Sequence, residues 1–126
     1  MFQNEQRIAS LLDAAINEME LLGQMSADIK TPEDFVASLH GMTIYRACGM
    51  SLQYITENFV KIRNLAGKGF FQPYTGIPWE KVFGLRSFLL HEYGEVDAEG
   101  IFNTVKTDIP QLLEVTRTIK DNLAKA

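Results

Sequence analysis

Apolar residues recur along most of this chain at intervals of three and four, the period of helices buried on one face. Ile8, Leu11, Leu12, Ala15, Ile16, Met19 and Leu22 form the first stripe, and Gly23 is a natural stop, which predicts a helix from about Gln3 to Leu22. In the run TPEDF, Thr31 can cap, Pro32 suits a first turn, and Glu33 and Asp34 complement the positive end of a helix dipole. A short helix is expected there. From Thr43 a second stripe passes through Ile44, Ala47, Cys48, Ser51, Ile55, Phe59, Ile62 and Ala66 without a proline, predicting the longest helix.

The next stretch, GKGFFQPYTGIP from Gly67 to Pro78, carries three glycines and two prolines, which a helix interior would not tolerate cheaply. It reads as an ordered loop rich in aromatics. Helical spacing resumes from Trp79 to about Leu90 with Val82, Phe83, Leu85 and Leu89. Asp97 then caps a last segment whose inward stripe is Ile101, Val105, Ile109, Leu112, Thr116, Ile119 and Leu123, with Pro110 placed to kink or restart it. Sustained apolar and polar alternation is missing, as is an Asn-Gly hairpin turn. The expected fold is all-α, an antiparallel up-and-down bundle of four main helices plus a short extra helix, in one domain spanning residues 1–126.

Composition agrees with a soluble globular protein, at 46% hydrophobic and 22% charged residues. Cys48 is the single cysteine, so nothing demands an oxidising compartment, and the opening MFQNEQRIAS has no apolar signal core. With no apolar run long enough for a membrane span, a cytoplasmic location is expected. The net charge of −4 argues against non-specific coating of nucleic acid, which depends on Lys and Arg neutralising phosphates. Charge is nevertheless uneven. Lys61, Arg63, Lys68, Lys81 and Arg86 face Glu80 alone, so that window stands at +4 and the remainder at −8. It could be a phosphate-facing patch or simply a set of solvated side chains.

Several kinds of chemistry can be set aside. GKG at Gly67 to Gly69 lacks the earlier glycine and the following Ser or Thr of a phosphate-binding loop. The two histidines stand 51 positions apart with no Glu-x-x-His pair, so no metal site and no cofactor are expected. Cys48 falls on an apolar helix face, where an inert buried thiol is expected, and His40 sits at a helix junction as a surface residue. What remains is RSFLLHEY, Arg86 to Tyr93. A neutral imidazole can take a proton from a ribose 2′-hydroxyl while a guanidinium stabilises the charge of a phosphorane, which is metal-free RNA cleavage. On a regular helix a spacing of five turns through about 500° and leaves two side chains about 140° apart. For Arg86 and His91 to meet, either the helix frays near Leu90 or a symmetric partner supplies the second group. Spacing alone is equally satisfied by Arg and His placed near a helix C-terminus by the dipole.

RSFLLHEY fits the Arg, four residues, His, any residue, Tyr motif of the HEPN superfamily. The longer run IPWEKVFGLRSFLLHEYGEVD, followed by TVKTDIPQLLEV, resembles its HepT branch. The likeness is densest from Ile77 to Val115 and extends more loosely to the first helix and SLQYITENFVKI. It implies a HEPN-like helical bundle, a homodimer, and a metal-independent endoribonuclease toxin whose partner is a small MntA-like nucleotidyltransferase antitoxin. Carried onto this chain, it makes Arg86 and His91 the catalytic pair and Tyr93 the residue to which the partner attaches AMP. Ser87 stands where many relatives carry Asn and would be a supporting polar group, and Gly94 stands where an aromatic is frequent. Lys61, Arg63, Lys68 and Lys81 become candidate contacts to the RNA backbone. The alternative within the same resemblance is a catalytically silent adaptor that presents substrate to the nucleotidyltransferase.

Overall fold

A computed structural model describes residues 2–92 and 97–125, and for residues 2, 3 and 86–92 it describes the helical backbone only. The first helix, α1 (Phe2–Met25), buries the whole expected stripe from Ile8 to Leu22. It runs past Gly23, contrary to the expected stop. A helix-interior glycine costs only about 1 kcal/mol, and the end is instead secured one turn later. There the Ser26 hydroxyl donates to the Leu22 carbonyl at 2.8 Å, and the Lys106 ammonium donates to the Ser26 carbonyl at 2.6 Å. A cation at this end also suits the helix dipole.

The short helix is a 3-10 turn, Pro32–Phe35, capped at Thr31. The Asp34 carboxylate accepts from the backbone N–H of Lys30 at 2.8 Å and of Thr31 at 3.1 Å, and these bonds hold its pKa below the usual value. Phe35 is wholly buried, edge-on to Tyr45 at 5.4 Å. The long helix α2 (Leu39–Ala66) begins four residues before Thr43 because Ser38 is its N-cap, its hydroxyl accepting from Gly41 N–H at 2.9 Å. Gly41 has to be glycine, since a Cβ there would collide with the Asp34 carbonyl oxygen. The helix ends at Gly67, whose φ of 88° belongs to the region that favours glycine.

The aromatic loop is ordered by its own rings. Phe71 is buried against Phe59, Phe70, Trp79 and Phe83, and the Trp79 indole N–H donates to the Tyr74 carbonyl at 2.8 Å. Helix α3 (Trp79–Glu92) leaves this cluster and packs on α2, where the Thr56 hydroxyl donates to the Val82 carbonyl at 3.1 Å. Asp97 caps α4 (Ala98–Asn103) by accepting from Gly100 N–H at 2.9 Å. The disturbance expected at Pro110 takes a specific form: Thr104–Asp108 is a π-helical turn, with Ile109 N–H bonded to the Thr104 carbonyl, before α5 (Ile109–Lys125) resumes. Proline has no N–H to give and its ring crowds the preceding turn, so one wider turn accommodates it without ending the run.

Ile101, Val105, Ile109, Leu112, Thr116 and Ile119 are buried along this composite helix, as their spacing predicts. It packs against α1 in the opposite direction, with Arg117 paired to Glu20 at 3.2 Å and Lys120 to Asp13. These exposed pairs add little stability and mainly report the register. The result is an all-α bundle of four main helical segments, the last made of α4, the π turn and α5. No strand occurs among the described residues, and no helix there is long and apolar enough to cross a membrane.

Candidate active site

Arg86, Ser87 and His91 belong to α3, which continues through His91 to Glu92 and does not end near Leu90. Five residues along such a helix still amount to about 140° of separation. The side chains of these three residues and the whole of Tyr93 lie outside the described residues.

The expected backbone contacts are better defined. Lys61, Lys68 and Lys81 are exposed. Arg63 is half-buried. Its guanidinium lies 4.5 Å from the centre of the Phe83 ring, a cation–π contact that ties the last turn of α2 to α3. Lys68 occupies the 3-10 turn Lys68–Phe70 directly after α2, so Arg63 and Lys68 both border the aromatic cluster from which α3 emerges. His40 is exposed on the first turn of α2, as expected. Cys48 is fully buried, and burial pushes its thiol up to about 11 despite the opposing charge of Lys106, so it has little thiolate to react with.

Of these basic residues Lys81 lines a groove of about 470 Å³. Ile55 of α2 contributes to it, α3 supplies Lys81, Val82 and Leu85, and the last segment supplies Ile109 and Leu112. Asp108 and Gln111 are exposed on its α5 side, and Gly84 lines it from α3. Glycine inside a helix is disfavoured by about 0.5–1 kcal/mol relative to Ala. Here a Cβ would meet nothing within 4 Å, so no packing among the described residues requires the glycine. Sequence reasoning passed over Gly84, Asp108 and Gln111, because the groove joins segments more than twenty positions apart. The one local signal was a glycine within an otherwise helical run.

Comparison with known proteins adds a family to this geometry. The family model for Ribonuclease HepT-like proteins matches residues 15–119, which takes in α2, all of α3 and the Arg86 to Tyr93 motif. A candidate RNase of Caldanaerobacter subterraneus subsp. tengcongensis is 32% identical over 108 residues, covering 86% of this chain and 89% of that protein. A protein of Methanocaldococcus jannaschii, described as a gamma-glutamylcyclotransferase and candidate RNase, is 32% identical over 116 residues, or 90% of this chain and 48% of that protein. No solved structure matches the chain. A helical bundle whose α3 carries Arg86 and His91, matched over most of its length by one family model, belongs to the HepT-like ribonuclease family.

Proposed function

We propose that this chain is a metal-independent endoribonuclease, the toxin of a HepT/MntA-like pair, and that Arg86 and His91 carry its chemistry. The reading rests on one observation: the match to the ribonuclease family spans the segment that holds Arg86, His91 and Tyr93 in the motif spacing. His91 takes the proton from a ribose 2′-hydroxyl, whose oxygen attacks the adjacent phosphorus. Arg86 stabilises the added negative charge, and the bond from phosphorus to the 5′-oxygen breaks as that oxygen receives a proton. The products are a 2′,3′-cyclic phosphate and a 5′-hydroxyl. Ser87 offers a hydroxyl beside the arginine, and Lys61, Arg63, Lys68 and Lys81 hold the flanking phosphates.

Helical continuity through His91 favours the second route by which the pair can meet. In a two-fold dimer, the two copies of α3 flank one groove, and each Arg86 works with a histidine across the axis. The antitoxin partner attaches AMP to Tyr93, placing a bulky anion where the RNA backbone must pass. Cleavage of single-stranded RNA should persist in excess EDTA and leave a cyclic phosphate or 3′-phosphate end. His91→Ala should slow it about 100-fold or more, the usual worth of a positioned proton-transfer group. Activity that vanishes in EDTA and returns with magnesium contradicts the mechanism.

A further inference from the structure

We infer that the groove between α3 and α5 is a pocket for one unpaired nucleoside of the RNA, in which Gly84, Asp108 and Gln111 set the base that is accepted. This rests on the ribonuclease reading and supplies the selectivity that backbone contacts cannot, since phosphate contacts position a nucleic acid without reading its sequence.

Size comes first. The groove measures about 470 Å³, inside the range of roughly 300–1,000 Å³ usual for small-ligand pockets. A stable protein partner would instead need about 800 Å² of surface on each side. The lining chemistry suits a flat heterocycle with apolar faces and a polar edge. Val82 and Leu85 from α3 and Ile109 and Leu112 from α5 supply aliphatic contact. Asp108 and Gln111 stand exposed on the α5 side, the carboxylate able to accept from a base N–H and the amide able to donate and accept. Asp108 closes the π turn, a distortion often found at functional positions. On the α3 side, exposed Lys81 can hold the phosphate attached to the bound nucleoside, and neither Lys81 nor Asp108 is in an ion pair among the described residues. At Gly84 no described residue lies within 4 Å of the absent Cβ, which leaves the α3 backbone open to close approach. Recognition of unstacked bases along their hydrogen-bonding edges is the usual way single-stranded RNA is read.

The test uses isotope-labelled full-length protein and its Gly84→Met and Gln111→Ala variants. Each is titrated with AMP, GMP, CMP and UMP, with ribose 5-phosphate as the control without a base. Gly84→Met should fold, because its Cβ meets open space, and its longer side chain should enter the groove. At least one nucleotide should shift the amides of Gly84, Ile109 and Gln111 and bind about fivefold or more tighter than the weakest, the scale of one good base-edge contact. Both variants should lose that preference and, on a random single-stranded RNA pool, lose the matching preference next to the cleaved bond. Unmoved groove amides, or an equal response to ribose 5-phosphate, overturn the pocket while leaving RNA cleavage standing. A Gly84→Met variant that changes sedimentation but not base preference assigns the groove to a second copy of the chain and also overturns it. Selective nucleotide binding by a protein that cleaves no RNA supports the pocket and overturns the ribonuclease reading.

Discussion

At Cys48 the environment silences a chemically able group. Cys48 is sealed in the core with its thiol raised from about 9 to about 11, burial being the main cause. Iodoacetamide should therefore label the native protein at pH 8 at least about 100-fold more slowly than the protein in denaturant. The same shift has a stability sign. Folding favours the protonated thiol, so its contribution is fully present below pH 9 and is lost as pH rises toward 11. Chemical denaturation of Cys48→Ala and of the parent protein across that window should show a steeper loss in the parent. Under the proposed function Tyr93 is the opposite kind of residue, a phenol that serves as acceptor of AMP and not as proton carrier. Tyr93→Phe should keep at least part of the cleavage activity and escape silencing by a cognate nucleotidyltransferase with ATP. Full silencing of that variant would remove the proposed role.

At the scale of elements, helix ends are set by particular hydrogen bonds. Asp97 is the cap of α4, and Gly100 opposite it is packed so closely that a Cβ would collide with the aspartate side chain. The Tyr45 hydroxyl accepts from Asp97 N–H at 3.1 Å, which ties this cap to α2. Asp97→Ala should cost about 1 kcal/mol, the typical worth of an N-cap, and lower the melting temperature by a few degrees. A variant as stable as the parent would mean that the π turn and the packing of Ile101 hold α4 without its cap. Ser38 plays the same part for α2, and Lys106 closes α1 from a helix eighty positions away.

For the whole molecule, the central question is how many chains make one active unit. Since α3 stays helical through His91, a single chain keeps the motif arginine and histidine positions about 140° apart around one axis. The proposed dimer relieves that conflict, and it predicts sedimentation at twice the chain mass at micromolar concentration. It predicts further that mixing inactive Arg86→Ala and His91→Ala proteins restores activity in the mixed dimer, where one groove regains both groups. Monomeric sedimentation, or a mixture as inactive as its components, would place catalysis within one chain.

Local sequence determined the helical class and inward stripes through periodicity, and the cap at Asp97 and the interruption near Pro110 through residue type, because each depends on residues within a few positions of one another. The motif from Arg86 to Tyr93 was equally legible as a spacing. Helix ends were less so: α1 outran Gly23 because Lys106 and Ser26 secure it further on, and α2 began early because Ser38 could cap it. Only the tertiary structure decided how the π turn resolves the proline, which cation lies on Phe83, and that α2, α3 and α5 leave a groove beside Gly84. The physical reason is separation along the chain. A repeat of three and four residues records which face is apolar, whereas a groove depends on how the faces of three helices meet, which no local pattern encodes.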